Sequence, residues 1–150
     1  MKCLYLKTRS RSKFEPPEEI MNRIYLACPY TSKSERVMKQ RVARATEAAA
    51  LLMEFGHWVF SPITYGHAVA NYMSNHVDGT FWLRQVLPYM EICSHLYILR
   101  EKGWEKSKGI DREIVEANRL NLAGPIMISI AVLKEHLEMR KEKQSGKIKD

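Results

Sequence analysis

Glu113 stands one turn into a helical stretch that follows a glycine-bounded loop, Gly103-Trp104-Glu105-Lys106-Ser107-Lys108-Gly109. At about 100° per residue, Ile110, Ile114, Ala117 and Asn121 share one face, and Glu113 falls on its flank beside Ala117 and Leu120. Arg112, Glu116 and Arg119 point the opposite way. The spacing therefore aims the Glu113 carboxylate inward, near a helix start. A carboxylate so placed can act as nucleophile or general base, or it can complement the helix dipole. Ser107 has a similar pair of readings: an N-cap, or a hydroxyl that binds ribose or phosphate beside exposed helix N–H groups. These residues alone leave both pairs open.

Other reactive side chains narrow the chemistry. The cysteines are Cys3, Cys28 and Cys93, an odd number without close spacing, which argues against a disulfide framework and CxxC knuckles. Cys28 lacks a histidine partner in sequence and reads as a small wall residue rather than a nucleophile. The histidines, His57, His67, His76, His95 and His136, show neither HxxxH nor HxH spacing, so no metal is expected. His57 and His95 flank strands and read as structural, whereas His67 falls in a ligand loop. No GxGxxG follows the first strand, which excludes a nicotinamide dehydrogenase, and no cofactor is expected. Trp58 reads as core; Trp82 and Trp104 read as stacking or interface residues.

The positioning elements alternate. Ile24–Cys28 reads as a strand ending at Pro29. Ser34–Phe55 reads as a helix, with Met38, Val42, Ala45, Ala49 and Leu52 drawing an apolar stripe and Gly56 ending it. Trp58–Phe60 is a second strand, and Thr64–Thr80 a long segment with a short helix at most. Helix is predicted over Trp82–Cys93, with Pro88 a weak point, then a strand at His95–Leu99 and a helix at Gly109–Leu122. Gly124-Pro125 reads as a turn before a strand at Ile126–Ile130, with a last helix over Leu133–Lys143. Such β-α alternation predicts an α/β fold: a flavodoxin-like or Rossmann-like three-layer sandwich with a parallel sheet of four to five strands. Ligands of such sheets bind beyond the carboxyl ends of the strands. That rule gathers three loops: Cys28–Lys33, including Pro29 and Tyr30; Ser61–His67; and Arg100–Gly109.

The chain has 150 residues, 45% of them hydrophobic and 27% charged, which fits one folded domain. That domain is expected over 23–143, between a basic extension at 1–22 and a disordered tail at 144–150. Glu18-Glu19-Ile20, whose codons would be purine-rich like a ribosome-binding site, makes Met21 the expected natural start. No apolar run approaches the roughly 18–20 residues that span a bilayer, and no signal-peptide pattern opens the chain, so no membrane partner and a cytoplasmic setting are expected. The net charge of +7 is concentrated at Lys2–Lys13 and Lys134–Lys149. Without an aromatic ladder these read as solvated tails ahead of a nucleic-acid surface. Lys33, Arg36 and Lys106 lie near the ligand loops, as surface charges or as holders of a 5′-phosphate.

Four stretches resemble the nucleoside 2-deoxyribosyltransferase superfamily, in particular its DUF1937-type branch: Ile24-Tyr25-Leu26-Ala27-Cys28-Pro29-Tyr30, Val59-Phe60-Ser61-Pro62-Ile63, Cys93-Ser94-His95-Leu96-Tyr97-Ile98-Leu99, and Gly103-Trp104 through Ser107-x-Gly109-x3-Glu113-Ile114-x2-Ala117. The resemblance implies a flavodoxin-like fold, a homodimer or larger homo-oligomer, and a nucleoside or nucleotide ligand whose N-glycosidic bond is cleaved by hydrolysis or transfer. It makes Glu113 the nucleophile on the sugar C1′, with Tyr25 beside it. Ser107 and Gly109 would contact sugar or phosphate, and Cys28, Pro29 and Tyr30 would line the pocket. Relatives carry an aspartate on the helix before the third strand and another just before that strand. Here Gln85, Val86 and Leu87 occupy the first region and Ser94 the second, with Asp78 the nearest upstream acid. Base departure would then fall to His67 or to the substrate itself, or the protein would bind nucleotides without turnover.

Overall fold

In strand β1, Arg23–Ala27, successive side chains must face opposite sides of a sheet, yet Ile24, Tyr25, Leu26 and Ala27 are all fully buried. Such a strand needs cover on both faces. A computed structural model describes residues 21–75 and 78–146 and shows that cover. The basic segment 2–13, Cys3 and His76 lie outside the described residues.

Helix α1 spans Glu35–Glu54, β2 Trp58–Phe60, α2 Pro62–Ala70, α3 Gly79–Glu91, β3 His95–Leu99, α4 Lys108–Arg119, β4 Ala123–Ile128 and α5 Ile130–Gly146. The four strands are all parallel in the order β2-β1-β3-β4, the order in which flavodoxin-like sheets begin. Ile24 and Leu26 pack with Ala45, Ala48 and Leu52 of α1 and Leu133 and Leu137 of α5. Tyr25 and Ala27 face the other way, against Val86 and Met90 of α3 and Ile110 and Ala117 of α4. The fold is the expected three-layer α/β sandwich, with four strands.

Several boundaries differ for local reasons. Helix α2 begins at Pro62 rather than near Thr64: proline suits the first helical turn, and the Ser61 hydroxyl accepts from the Thr64 N–H at 3.4 Å. Helix α3 begins at Gly79 because the Asp78 carboxylate accepts from the Phe81 N–H at 2.9 Å. It continues through Pro88, whose position is solvent-exposed, so the backbone carbonyl left unpaired can meet water. Gly124 and Pro125 lie inside β4 rather than in a turn before it. Proline is tolerated on an edge strand, and the pairing slips there between His95 and Tyr97. Gly124 adopts φ +121°, and a Cβ on it would lie 2.5 Å from the Leu96 carbonyl oxygen. Ile130 belongs to α5, not to the fourth strand; the Ser129 hydroxyl accepts from the Val132 N–H at 3.4 Å. That helix runs to Gly146, past the expected 143, so residues 144–146 are helical rather than a disordered tail. Trp58 is 58% exposed on edge strand β2, not core. No helix among the described residues is long and apolar enough to cross a membrane.

Candidate active site

The carboxyl ends of β1, β2 and β3 open into a cavity of about 640 Å³. Each strand end feeds one wall. The β1 loop contributes Cys28, Pro29, Tyr30 and Thr31; α2 contributes Ile63, Gly66 and His67; the β3–α4 segment contributes Lys106, Ser107, Gly109 and Glu113. Trp82, on α3, lies over Gly66, where a Cβ would meet its ring at 3.4 Å.

Glu113 is half-buried, with its carboxyl on the cavity. Its Oε1 accepts a 2.8 Å hydrogen bond from the Tyr25 hydroxyl. Tyr25 can reach it because its position in β1 faces α4, while Ile24 and Leu26 face α1. Burial pushes the Glu113 carboxyl up to about 7, and the Tyr25 hydrogen bond pulls the other way. The Tyr25 phenol is itself pushed far up, first by burial and then by the neighbouring Glu113 charge, so it stays a donor. The result is a carboxyl poised between its two forms at neutral pH, held by a phenol that cannot compete for its proton.

Ser107 is both cap and wall: its hydroxyl accepts from the Ile110 N–H at 3.4 Å while facing the cavity. At the same cavity the Tyr30 hydroxyl lies 3.0 Å from His67 Nδ1, joining the β1 loop to α2. Burial pushes the Cys28 thiol up to about 12, which keeps it protonated and poorly nucleophilic.

Seven of the expected residues line the cavity: Cys28, Pro29, Tyr30, His67, Ser107, Gly109 and Glu113. Tyr25 lies behind Glu113. Ser61 is buried as the cap of α2 and does not line the cavity. Asp78 is engaged in capping α3, and Ser94 bonds His95 Nδ1 at 2.9 Å at the opposite end of the sheet, so neither supplies an acid here. Trp104 packs against the Tyr25–Ile110 core rather than facing the ligand space.

Among the basic residues expected near the loops, Lys106 lines the cavity, whereas Lys33 and Arg36 do not. Arg112, placed on the outer face by helix geometry, also reaches the lining, as does Lys108. Arg41, on α1 outside the three gathered loops, also lines the cavity. Its guanidinium donates to the carbonyls of Thr31 at 2.8 Å, Tyr30 at 3.3 Å and Lys102 at 2.9 Å, tying the β1 loop to the β3 loop. The signal was its phase: Arg41 lies in line with Ala45, Ala48 and Leu52 on the buried stripe of α1. Among the described residues no cluster of His, Cys, Asp and Glu could hold a metal ion.

The chain matches the model of a domain of unknown function, DUF1937, over residues 22–129, and belongs to that family. No curated protein matches it.

Proposed function

We propose that this member of the DUF1937 family cleaves the N-glycosidic bond of a nucleoside 5′-monophosphate or nucleoside, in the manner of the nucleoside 2-deoxyribosyltransferase superfamily it resembles. The observation that carries the reading is the Glu113 carboxyl at the cavity wall, held by the Tyr25 hydroxyl at 2.8 Å. In its ionised form Glu113 attacks the sugar C1′ as the bond to the base breaks, giving a glycosyl ester. Attack by water or a second base then releases the sugar and restores the carboxylate, as in retaining glycosidases. The Tyr25 hydroxyl orients the carboxylate and favours its ionised form. Among the described residues, Arg41, Lys106, Lys108 and Arg112 give the lining a positive balance against the one carboxylate, Glu113, which favours a phosphorylated substrate.

A second reading, a non-catalytic nucleotide-binding module, is favoured by one observation: among the described residues Glu113 is the only carboxylate lining the cavity. Chromatography of a mixed deoxynucleoside and deoxynucleotide panel, incubated with wild-type protein and Glu113→Ala, decides between them. Free base with wild type alone is the expected result. Binding of a nucleotide without release of base by either protein would establish the module instead.

A further inference from the structure

The cleavage reading leaves one requirement unmet. When the C1′–N bond breaks, its electron pair goes to the base, which needs a proton to leave as a neutral molecule. Glu113 cannot supply it, because its carboxylate is the nucleophile in that same step. The other ionisable side chains among the described lining residues are Cys28, Tyr30, Arg41, His67, Lys106, Lys108 and Arg112. Arginine and lysine hold their protons at neutral pH. Burial pushes both the Cys28 thiol and the Tyr30 phenol up. Imidazole is the side chain that both holds and releases a proton near neutrality.

His67 also has the right place. It sits on α2, after β2, whereas Glu113 sits on α4, after β3, and β1 lies between those strands. Both residues line the same cavity, His67 from the α2 wall and Glu113 from the α4 wall. Tyr30 holds His67 by Nδ1 at 3.0 Å, leaving Nε2 as the ring nitrogen available for a ligand. The charged group that His67 influences from α1 is Glu35, which is itself paired with Lys39.

We propose that His67, oriented by Tyr30, is the acid that protonates the leaving base. The proposal rests on the cleavage reading above. In the first step the Glu113 oxygen bonds to C1′, the C1′–N electron pair moves to the base, and the His67 imidazolium gives its Nε2 proton to that base. The imidazole is then neutral. In the second step water, or the N–H of an incoming base, attacks C1′ and gives its proton to the imidazole, while the Glu113 carboxylate departs. One proton leaves and one returns, with no further reactant.

The test uses purine 2′-deoxynucleosides and their 5′-monophosphates beside their N7-methylated counterparts, whose bases leave neutral without a proton. Wild-type protein, His67→Gln and Tyr30→Phe are compared by rate of base release across pH. His67→Gln should lose at least about 100-fold on the unmethylated substrates and stay within about threefold of wild type on the methylated ones. Tyr30→Phe should show the same bias more weakly. An equal loss on both substrate classes, or no loss on either, would overturn the role of His67 while leaving cleavage intact. Wild-type protein that releases base from no substrate would instead sink the cleavage reading, and this proposal with it.

Discussion

The hydroxyl of Tyr25 and the carboxyl of Glu113 are 88 positions apart in the chain and 2.8 Å apart in the fold. Tyr25 lies in the middle of a central parallel strand and Glu113 one turn into the helix after the neighbouring strand. A fully buried phenol donating to a partly open carboxyl keeps the acid ionisable in a place where burial opposes ionisation.

Removing that donor should move the activity profile. Tyr25→Phe keeps the ring packing against Phe60 but withdraws the interaction that lowers the Glu113 pKa. The acid limb of base release should therefore shift to higher pH, with a stability cost of about 1 kcal/mol. An unmoved limb would mean that Glu113 does not govern it.

Glu113 should also leave a signature in stability. Its carboxyl is raised from 4.5 to about 7, so between those values the folded chain holds a proton that the unfolded chain has lost. The stabilisation from the neutral carboxyl is full below the unfolded value and fades as pH rises through the folded one. Glu113→Gln cannot ionise. Urea unfolding across pH 4 to 8 should show wild type losing ground to this variant, by at most about 3 kcal/mol. Parallel curves would mean the carboxyl is well solvated. The same variant should lose base release by about 10³-fold or more.

Arg41 is expected to act through the loops it ties together. Arg41→Met keeps an apolar stem but removes the bonds to Tyr30, Thr31 and Lys102. Amide exchange should quicken at 28–31 and 101–104, and stability should fall by about 2 kcal/mol. KM should rise more than kcat falls, because the walls that bind are loosened while Glu113 and Tyr25 stay in place. Unchanged exchange in both loops would contradict the clamp.

Gly124 offers a test of the sheet rather than the site. A Cβ there would lie 2.5 Å from a backbone oxygen, at a φ of +121° that other residues rarely adopt. Gly124→Ala should cost at least about 3 kcal/mol, measured by denaturant unfolding. A loss under about 1 kcal/mol would show that β4 yields at this point.

Much of the scaffold was legible in the chain. The apolar stripe of α1, the short strands read at 24–28, 58–60 and 95–99, and their alternation with helices point to a parallel sheet covered on both faces, because each β-α unit buries its apolar faces against that sheet. The rule for such sheets then places the loops after β1, β2 and β3 together, and helical phase turns Glu113 inward. Phase was less informative where a side chain is long. Arg112 reaches the cavity from an outward position, and Arg41 bonds three carbonyls in two loops that helical phase alone does not bring to it.

Caps and strand edges were harder to read. Ser61 looks like a loop residue in sequence, but it is spent on the first turn of α2, and Asp78 is spent likewise on α3. Trp58 looks like core, but β2 is an edge strand and leaves it exposed. What the sequence by itself determined is the set of elements and the end of the sheet at which chemistry can occur, since both follow from periodicity and from the direction of parallel strands. What only the tertiary structure decided is which side chains meet there: Tyr25 with Glu113, Tyr30 with His67, and Arg41 across two loops. Those meetings depend on strand order and on the face each residue presents, which periodicity within one element does not specify.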